Sequence, residues 1–173
     1  MRVLGALYAL REPTWVMAAI WVSELGEWYT IGGLAVALAL WLVLKEKFAL
    51  AQGVLLTVVT SGIATLIIKD VVARPRPPEQ YWAYTETWYS FPSAHASMSL
   101  AFFGFLAYLT WHSGASRAWR IASIVVAVVL VLIIGFSRLY LGVHYFSDVL
   151  GGYLLGAACL WLAIWTTRTL QRR

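Results

Sequence analysis

The sequence predicts an all-α fold: a polytopic transmembrane helical bundle with five spans, preceded by N-terminal interfacial helices. Three observations carry that expectation. Hydrophobic residues make up 61% of the 173 positions and charged residues only 12%, with a mean hydropathy of +0.75. That balance leaves too little polar surface for a soluble domain of this size. The apolar residues also fall in runs matching the roughly 20 helical residues needed to cross a hydrocarbon core of about 30 Å. Charged links separate these runs, and the length suits a single domain over residues 1–173.

The segment from Val3 to Leu25 is the least regular. Arg11, Glu12 and Pro13 interrupt its midpoint, where each charge would cost about 2.5–3.5 kcal/mol inside a bilayer. Proline there would also remove a backbone hydrogen bond. Two short helices in the interface, flanking Arg11-Glu12-Pro13, are therefore expected, with a sixth span as the alternative. The apolar start is short and meets Arg11 without a cleavage-like site, so no secretory signal is expected. Spans are expected over Trp28 to Leu44, Phe48 to Ile68, Ser93 to Trp111, Trp119 to Phe136 and Asp148 to Thr166.

A net charge of +5 does not point to nucleic acid, because most basic residues sit at the ends of apolar runs, where membrane topology accounts for them. With alternating spans, Lys45, Lys47, Arg117, Arg120, Arg168, Arg172 and Arg173 share one side, expected to be cytoplasmic. Lys69, Arg74, Arg76 and Arg138 fall opposite, among Asp70, Glu79, Glu86 and Asp148. The stretches 69–92 and 137–147 therefore face outside. Tyr81, Trp82, Tyr84, Trp88 and Tyr89 read as an interfacial aromatic belt or, more sharply, as a wall for a lipid's entry path. The single cysteine, Cys159, reads as a small buried hydrophobe. Arg74 reads as a solvated loop charge and His112 as an interfacial residue.

Three short patterns fall on the same expected face. Lys69 and Arg76-Pro77 follow the end of one span, Pro92-Ser93-Ala94-His95 opens the next, and Ser137-Arg138 leads to His144 and Asp148. Singly, each residue has an ordinary explanation as a snorkelling cation, a cap or a headgroup-level polar residue. Together, three cations, two histidines and an aspartate suit a bound phosphate, a nucleophile with an orienting partner, and a proton donor. Two helices begin on that face, presenting unpaired N–H groups to an anion. Ser93 suits an N-cap or a hydroxyl donor to a phosphate oxygen. His144 and Asp148 are four apart, so on one helical turn the carboxylate would hold one ring nitrogen and leave the other free to attack phosphorus. His95, from another helix, would protonate the leaving alkoxide.

These patterns resemble the three signature motifs of the type-2 phosphatidic acid phosphatase superfamily, K-x6-RP, PSGH and SR-x5-H-x3-D, a group that includes vanadium haloperoxidases. Lys69, Arg76 and Pro77, then Pro92, Ser93 and His95, then Ser137, Arg138, His144 and Asp148 match in order and spacing, over a core of residues 48–165. The resemblance implies His144 as a nucleophile forming a phosphohistidine, Asp148 as its partner and His95 as the acid. It implies Lys69, Arg76, Ser93 and Arg138 as phosphate ligands, and no metal or other cofactor. The implied substrate is a membrane lipid phosphate, namely polyprenyl diphosphate, phosphatidic acid, phosphatidylglycerol phosphate or a lipid-A phosphate. The implied setting is a bacterial cytoplasmic membrane with the site on its outer side. Ala94 stands where the family usually has glycine, but the first turn of a helix does not need positive φ. Two other classes compete: a haem protein with His95 and His144 as axial ligands, and a non-catalytic phospholipid carrier.

Overall fold

The structure, a computed structural model, describes residues 2–172; Arg173, expected on the cytoplasmic side, lies outside the described residues. The chain folds into helices α1 (Arg2–Ala9), α2 (Pro13–Glu24), α3 (Trp28–Leu44), α4 (Phe48–Val72), α5 (Ala94–Trp111), α6 (Arg117–Tyr140) and α7 (Phe146–Gln171), with one 3-10 turn at Glu79–Tyr81. Pro13 occupies the first turn of α2, where its missing N–H leaves no bond unmade. The two short N-terminal helices therefore flank Arg11 and Glu12, with α2 packed against α6.

Three helices, α4, α6 and α7, are each long and apolar enough to cross a membrane, and α2 and α3 satisfy the same test jointly across a bend of 41°. Helix α5 is not in that set; its first turns carry His95, Ser97 and Ser99. α5 is the central element, packing on α4, α6 and α7. Small residues (Ala35 and Ala39 of α3, Ala51 of α4, Ala163 of α7) surround Phe102 and Phe105 of α5. In a bilayer, where apolar surface gains nothing from leaving lipid, such residues hold helices by close approach and interhelical hydrogen bonds. Ser61 and Ser97 make one such bond, Oγ to Oγ at 2.8 Å, between α4 and α5.

Three helices overrun the expected boundaries, α7 by running on from Thr166 to Gln171. α4 continues from Ile68 to Val72 and α6 from Phe136 to Tyr140, which places Lys69 and Arg138 in last helical turns rather than in loops. An apolar count stops at the first charge, whereas both cations are buried, at 6% and 0% exposure, and find partners inside the bundle. α4 stops at Ala73, which adopts the left-handed conformation with φ 47°. Ala94 opens α5, and positive φ at non-glycine positions is confined, among the described residues, to Glu46, Ala73 and Trp88. The backbone at position 94 thus accepts alanine without strain.

The starts of α5 and α7 are locked together. The Ser93 amide donates to the Asp148 carbonyl at 3.0 Å. A Cβ on Gly152 would lie 2.5 Å from the Ser93 carbonyl oxygen and 2.8 Å from Ala96 Cβ. Gly152→Ala should therefore force the two helices apart at a cost of about 1–3 kcal/mol, read as a lower melting temperature in detergent. Gly33→Ala, with nothing within 4 Å of the added methyl, should melt with the wild type.

Candidate active site

Five of the seven residues expected to carry chemistry line one cavity of about 730 Å³: Lys69, Arg76, His95, Arg138 and His144. Asp148 and Ser93 stand behind its wall, both fully buried. From Lys69 the lining continues along α4 through Leu66, Ile63, Val59 and Val58, about 16 Å of apolar helix at 1.5 Å per residue. Trp28 and Gly32 of α3 face it. The cavity joins a cationic head to a hydrocarbon trough.

His144 is not on α7, as the four-residue spacing suggested. Tyr145 is the N-cap and the helix begins at Phe146, so His144 belongs to the link before it. The contact with Asp148 forms because that carboxylate, in the first turn, folds back over the helix start. Its Oδ2 accepts from the Tyr145 amide at 2.8 Å and lies 3.4 Å from His144 Nδ1, a long contact by hydrogen-bond standards. The other ring nitrogen, Nε2, is 3.4 Å from Arg76 Nη1. Burial pushes the His144 imidazole well below its ordinary range, and Arg138, Arg76, Lys69 and His95 push the same way.

Arg74 requires a correction. It is not a solvated loop charge: Nη1 lies 2.7 Å from both Asp148 Oδ1 and Ser147 Oγ, and the guanidinium sits 4.3 Å from the Tyr145 ring centroid. Pro75 accounts for the separate fates of the two arginines. It holds the segment extended, so Arg74 reaches α7 while Arg76 turns into the cavity. Asp148 is thereby held by a guanidinium on one oxygen and a backbone N–H on the other.

The arginines of the cavity are held as firmly. Arg76 donates to the carbonyls of Trp88, Thr87 and Val143 at 2.9–3.1 Å and to Glu86 Oε2 at 3.0 Å. Arg138 donates to Ser23 Oγ at 2.6 Å, to the Tyr84 hydroxyl and to Glu86 Oε1. Lys69 donates to the Tyr89 carbonyl. Burial alone would raise the Glu86 carboxyl, but Arg138 and Arg76 outweigh it and hold the group below the usual carboxylate range. Tyr84 is pushed up to about 12, chiefly by burial, so it stays a neutral hydroxyl.

Ser93 is the N-cap of α5 by position, but its side chain makes no capping bond and Oγ is buried without a partner. His95 Nε2 lies 3.1 Å from Glu27 Oε1, an ion-pair contact out of line for a hydrogen bond. Sequence reasoning missed Ser23, Glu27, Tyr84 and Glu86. Glu86 left a trace, as a carboxylate in an aromatic loop between two of the motifs; Glu27, just ahead of the span expected to begin at Trp28, left none. His112 sits at the opposite end of α5 from His95, its ring against Tyr108 at 4.3 Å, and Cys159 is buried and unpaired. Among the described residues, no three His, Cys, Asp or Glu side chains gather as a metal site.

The depressed His144 has a consequence for pH dependence. A group that attacks as neutral imidazole loses activity only as pH falls through its folded-state pKa. The acid limb of kcat/KM should therefore lie well below the ordinary imidazole value of about 6.5. A profile whose acid limb sits at or above that value would contradict the assignment of His144.

The profile of the PAP2 superfamily matches residues 50–172. Phosphatidylglycerophosphatase B of Bacillus subtilis is 32% identical over 104 residues, 60% of this chain and 51% of that protein. A putative undecaprenyl-diphosphatase of Escherichia coli is 43% identical over 67 residues, 39% of this chain and 29% of that protein. The chain thus spans about half or less of the length of these two relatives. A decaprenylphosphoryl-5-phosphoribose phosphatase of Mycobacterium tuberculosis is 36% identical over 151 residues, 84% of this chain and 77% of that protein. Among solved structures, a transmembrane PAP2-type phosphatidylglycerolphosphate phosphatase of Bacillus subtilis superposes with a TM-score of 0.86 at 24% identity, over 97% of this chain and 84% of that one. At that identity the likeness speaks for the fold. The match over residues 50–172, which takes in all three motifs, shows that the chain belongs to the PAP2 superfamily.

Proposed function

We propose that the chain is an integral membrane lipid phosphatase that passes the phosphoryl group of a lipid first to His144 and then to water. One observation carries the reading: both histidines and all three expected cations open into a single cavity whose other wall is hydrocarbon. A phosphate head with an apolar tail has the same division.

In the first step, His144 Nε2 attacks phosphorus while Asp148, behind Nδ1, holds the ring's orientation and tautomer. The bond from phosphorus to the lipid oxygen breaks, and His95 supplies the proton that oxygen needs. Water then cleaves the phosphorus–nitrogen bond and regenerates the imidazole. Lys69, Arg76 and Arg138 neutralise charge on the non-bridging oxygens, the main task in phosphoryl transfer. The arriving phosphate shares the two guanidiniums with Glu86 or displaces it. Ser93 is the least direct of the phosphate ligands, reaching the anion only from behind the start of α5. The chemistry needs no metal.

In this reading α3 to α7 cross a bacterial cytoplasmic membrane, α1 and α2 lie at its interface, and the site opens on the outer side. The support for that orientation is the collection of Lys45, Lys47, Arg117, Arg120, Arg168 and Arg172 at the opposite ends of the helices. Polyprenyl diphosphate and glycerolipid phosphates are the leading substrates. The mycobacterial relative is named for a polyprenyl-linked phosphate and the Bacillus relative for a glycerolipid phosphate. Purified protein with EDTA, given undecaprenyl diphosphate and phosphatidylglycerol phosphate side by side, should release phosphate from at least one. Absence of release from both, or dependence on added magnesium, would overturn the corresponding part of the reading. A strong Soret band in the same preparation would favour haem binding instead.

A further inference from the structure

The N-terminal helices do more than cover the bundle. The break between α2 and α3, at Leu25-Gly26-Glu27, is seated on His95. A Cβ on Gly26 would lie 2.6 Å from Ile134 Cγ2 and 3.2 Å from His95 Cδ2, so any larger residue would lift this turn off the imidazole. Glu27 follows at the N-cap of α3. Its Oε2 accepts from the Trp28 amide at 3.3 Å, while Oε1 lies 3.1 Å from His95 Nε2. One oxygen is tied to a helix start and the other faces the ring, which repeats the way Asp148 is tied to the start of α7 beside His144.

We infer that Glu27 is the positioning partner of His95: it holds the imidazole as the protonated acid, with Nε2–H toward the carboxylate and Nδ1–H left for the departing lipid oxygen. The inference rests on the phosphatase reading above. When the phosphorus–oxygen bond breaks, the Nδ1 proton moves to the alkoxide, the electron pair of that N–H bond stays on the ring, and the neutral imidazole remains against Glu27. Charge decides that a partner is needed. Arg138 on α6 and His144 line the same cavity as His95, and nearby positive charge disfavours a second cation. Glu86, the other nearby carboxylate, is taken up by Arg76 and Arg138. Glu27 is the carboxylate in contact with this ring. It lies outside the segment matched by the family profile, residues 50–172.

The test compares leaving groups. Dodecyl phosphate needs its alkoxide protonated, whereas a nitrophenyl phosphate bearing an equal alkyl tail does not. Glu27→Gln keeps an acceptor for the Trp28 amide but removes the charge. It should lower kcat on the alkyl ester by about 10- to 100-fold and on the aryl ester by less than about threefold. It should also move the basic limb of the pH profile downward by about one unit. Glu27→Asp, retaining the charge on a shorter arm, should keep the limb near its wild-type position; if Glu27→Gln does not fold, a lowered alkyl-to-aryl rate ratio in Glu27→Asp, whose carboxylate is drawn back from the His95 ring, reads the same role. In a His95→Gln background, Glu27→Gln should cost nothing further on the alkyl ester. An equal loss on both esters, or an unmoved basic limb in both variants, would overturn the inference while leaving the phosphatase intact. No release by the wild type from either ester would remove both together.

Discussion

His144→Ala should lower phosphate release from the lipid substrate by about 10⁴-fold or more, the scale seen when a covalent nucleophile is deleted. The fold should survive. His144 lies in the short link between α6 and α7 rather than within a helix, and its ring contacts are two 3.4 Å approaches rather than strong bonds. The accompanying signature is chemical. Wild-type protein quenched during turnover should carry an acid-labile, base-stable phosphoryl group, and His144→Ala should carry none. Asp148→Asn should lower the rate less, by about 10²–10⁴-fold, because it leaves the nucleophile but disturbs its tautomer. Release by His144→Ala at the wild-type rate would remove the nucleophile assignment.

Arg138→Ala should have the second largest effect, on both activity and stability. The guanidinium is fully buried and ties two separate segments to α6 through three residues: Ser23 at the end of α2, and Tyr84 and Glu86 of the long loop. Removing it leaves Glu86 paired with Arg76, with the Tyr84 hydroxyl still donating to Oε1 at 3.0 Å. Loss of one member of a buried ion pair costs about 3–5 kcal/mol; with Glu86 still paired and part-exposed, about 2–4 kcal/mol is expected here. Loss of one preformed donor to a developing oxyanion lowers turnover by about 10²–10³-fold. Lysine should rescue little, since a single ammonium cannot reproduce the two-nitrogen fork that serves three partners. Melting in detergent and kcat on the same samples separate the two effects. A variant that melts and turns over like the wild type would show that Arg138 serves neither purpose.

Much of the site was legible along the chain because phosphoryl transfer narrows the choice of residue types. Lys69, Arg76, Arg138, His95 and His144 all reached one cavity, and Asp148 reached the back of His144. What the one-dimensional reading distorted were the places where charge enters the bundle. Arg138 was set in a loop and Arg74 in solvent because a charge next to an apolar run marks a boundary until a buried partner is known. Glu86, the partner of Arg138, and Glu27, beside His95, belong to a loop and a helix break with no periodic pattern of their own.

By itself the sequence determined the helical class, the approximate position of each apolar helix, the break around Arg11-Glu12-Pro13 and most of the residues that line the candidate site. Those properties follow from local hydrophobicity, proline chemistry and spacing, which are written in neighbouring residues. Only the tertiary structure decided which carboxylate meets which cation. That Glu86 bridges Arg76 and Arg138, that Arg74 steadies Asp148, and that Glu27 reaches His95 depend on contacts between residues 10 to 74 positions apart. Long-range pairing is settled by how helices pack and which buried charges must be neutralised, and no local pattern encodes it.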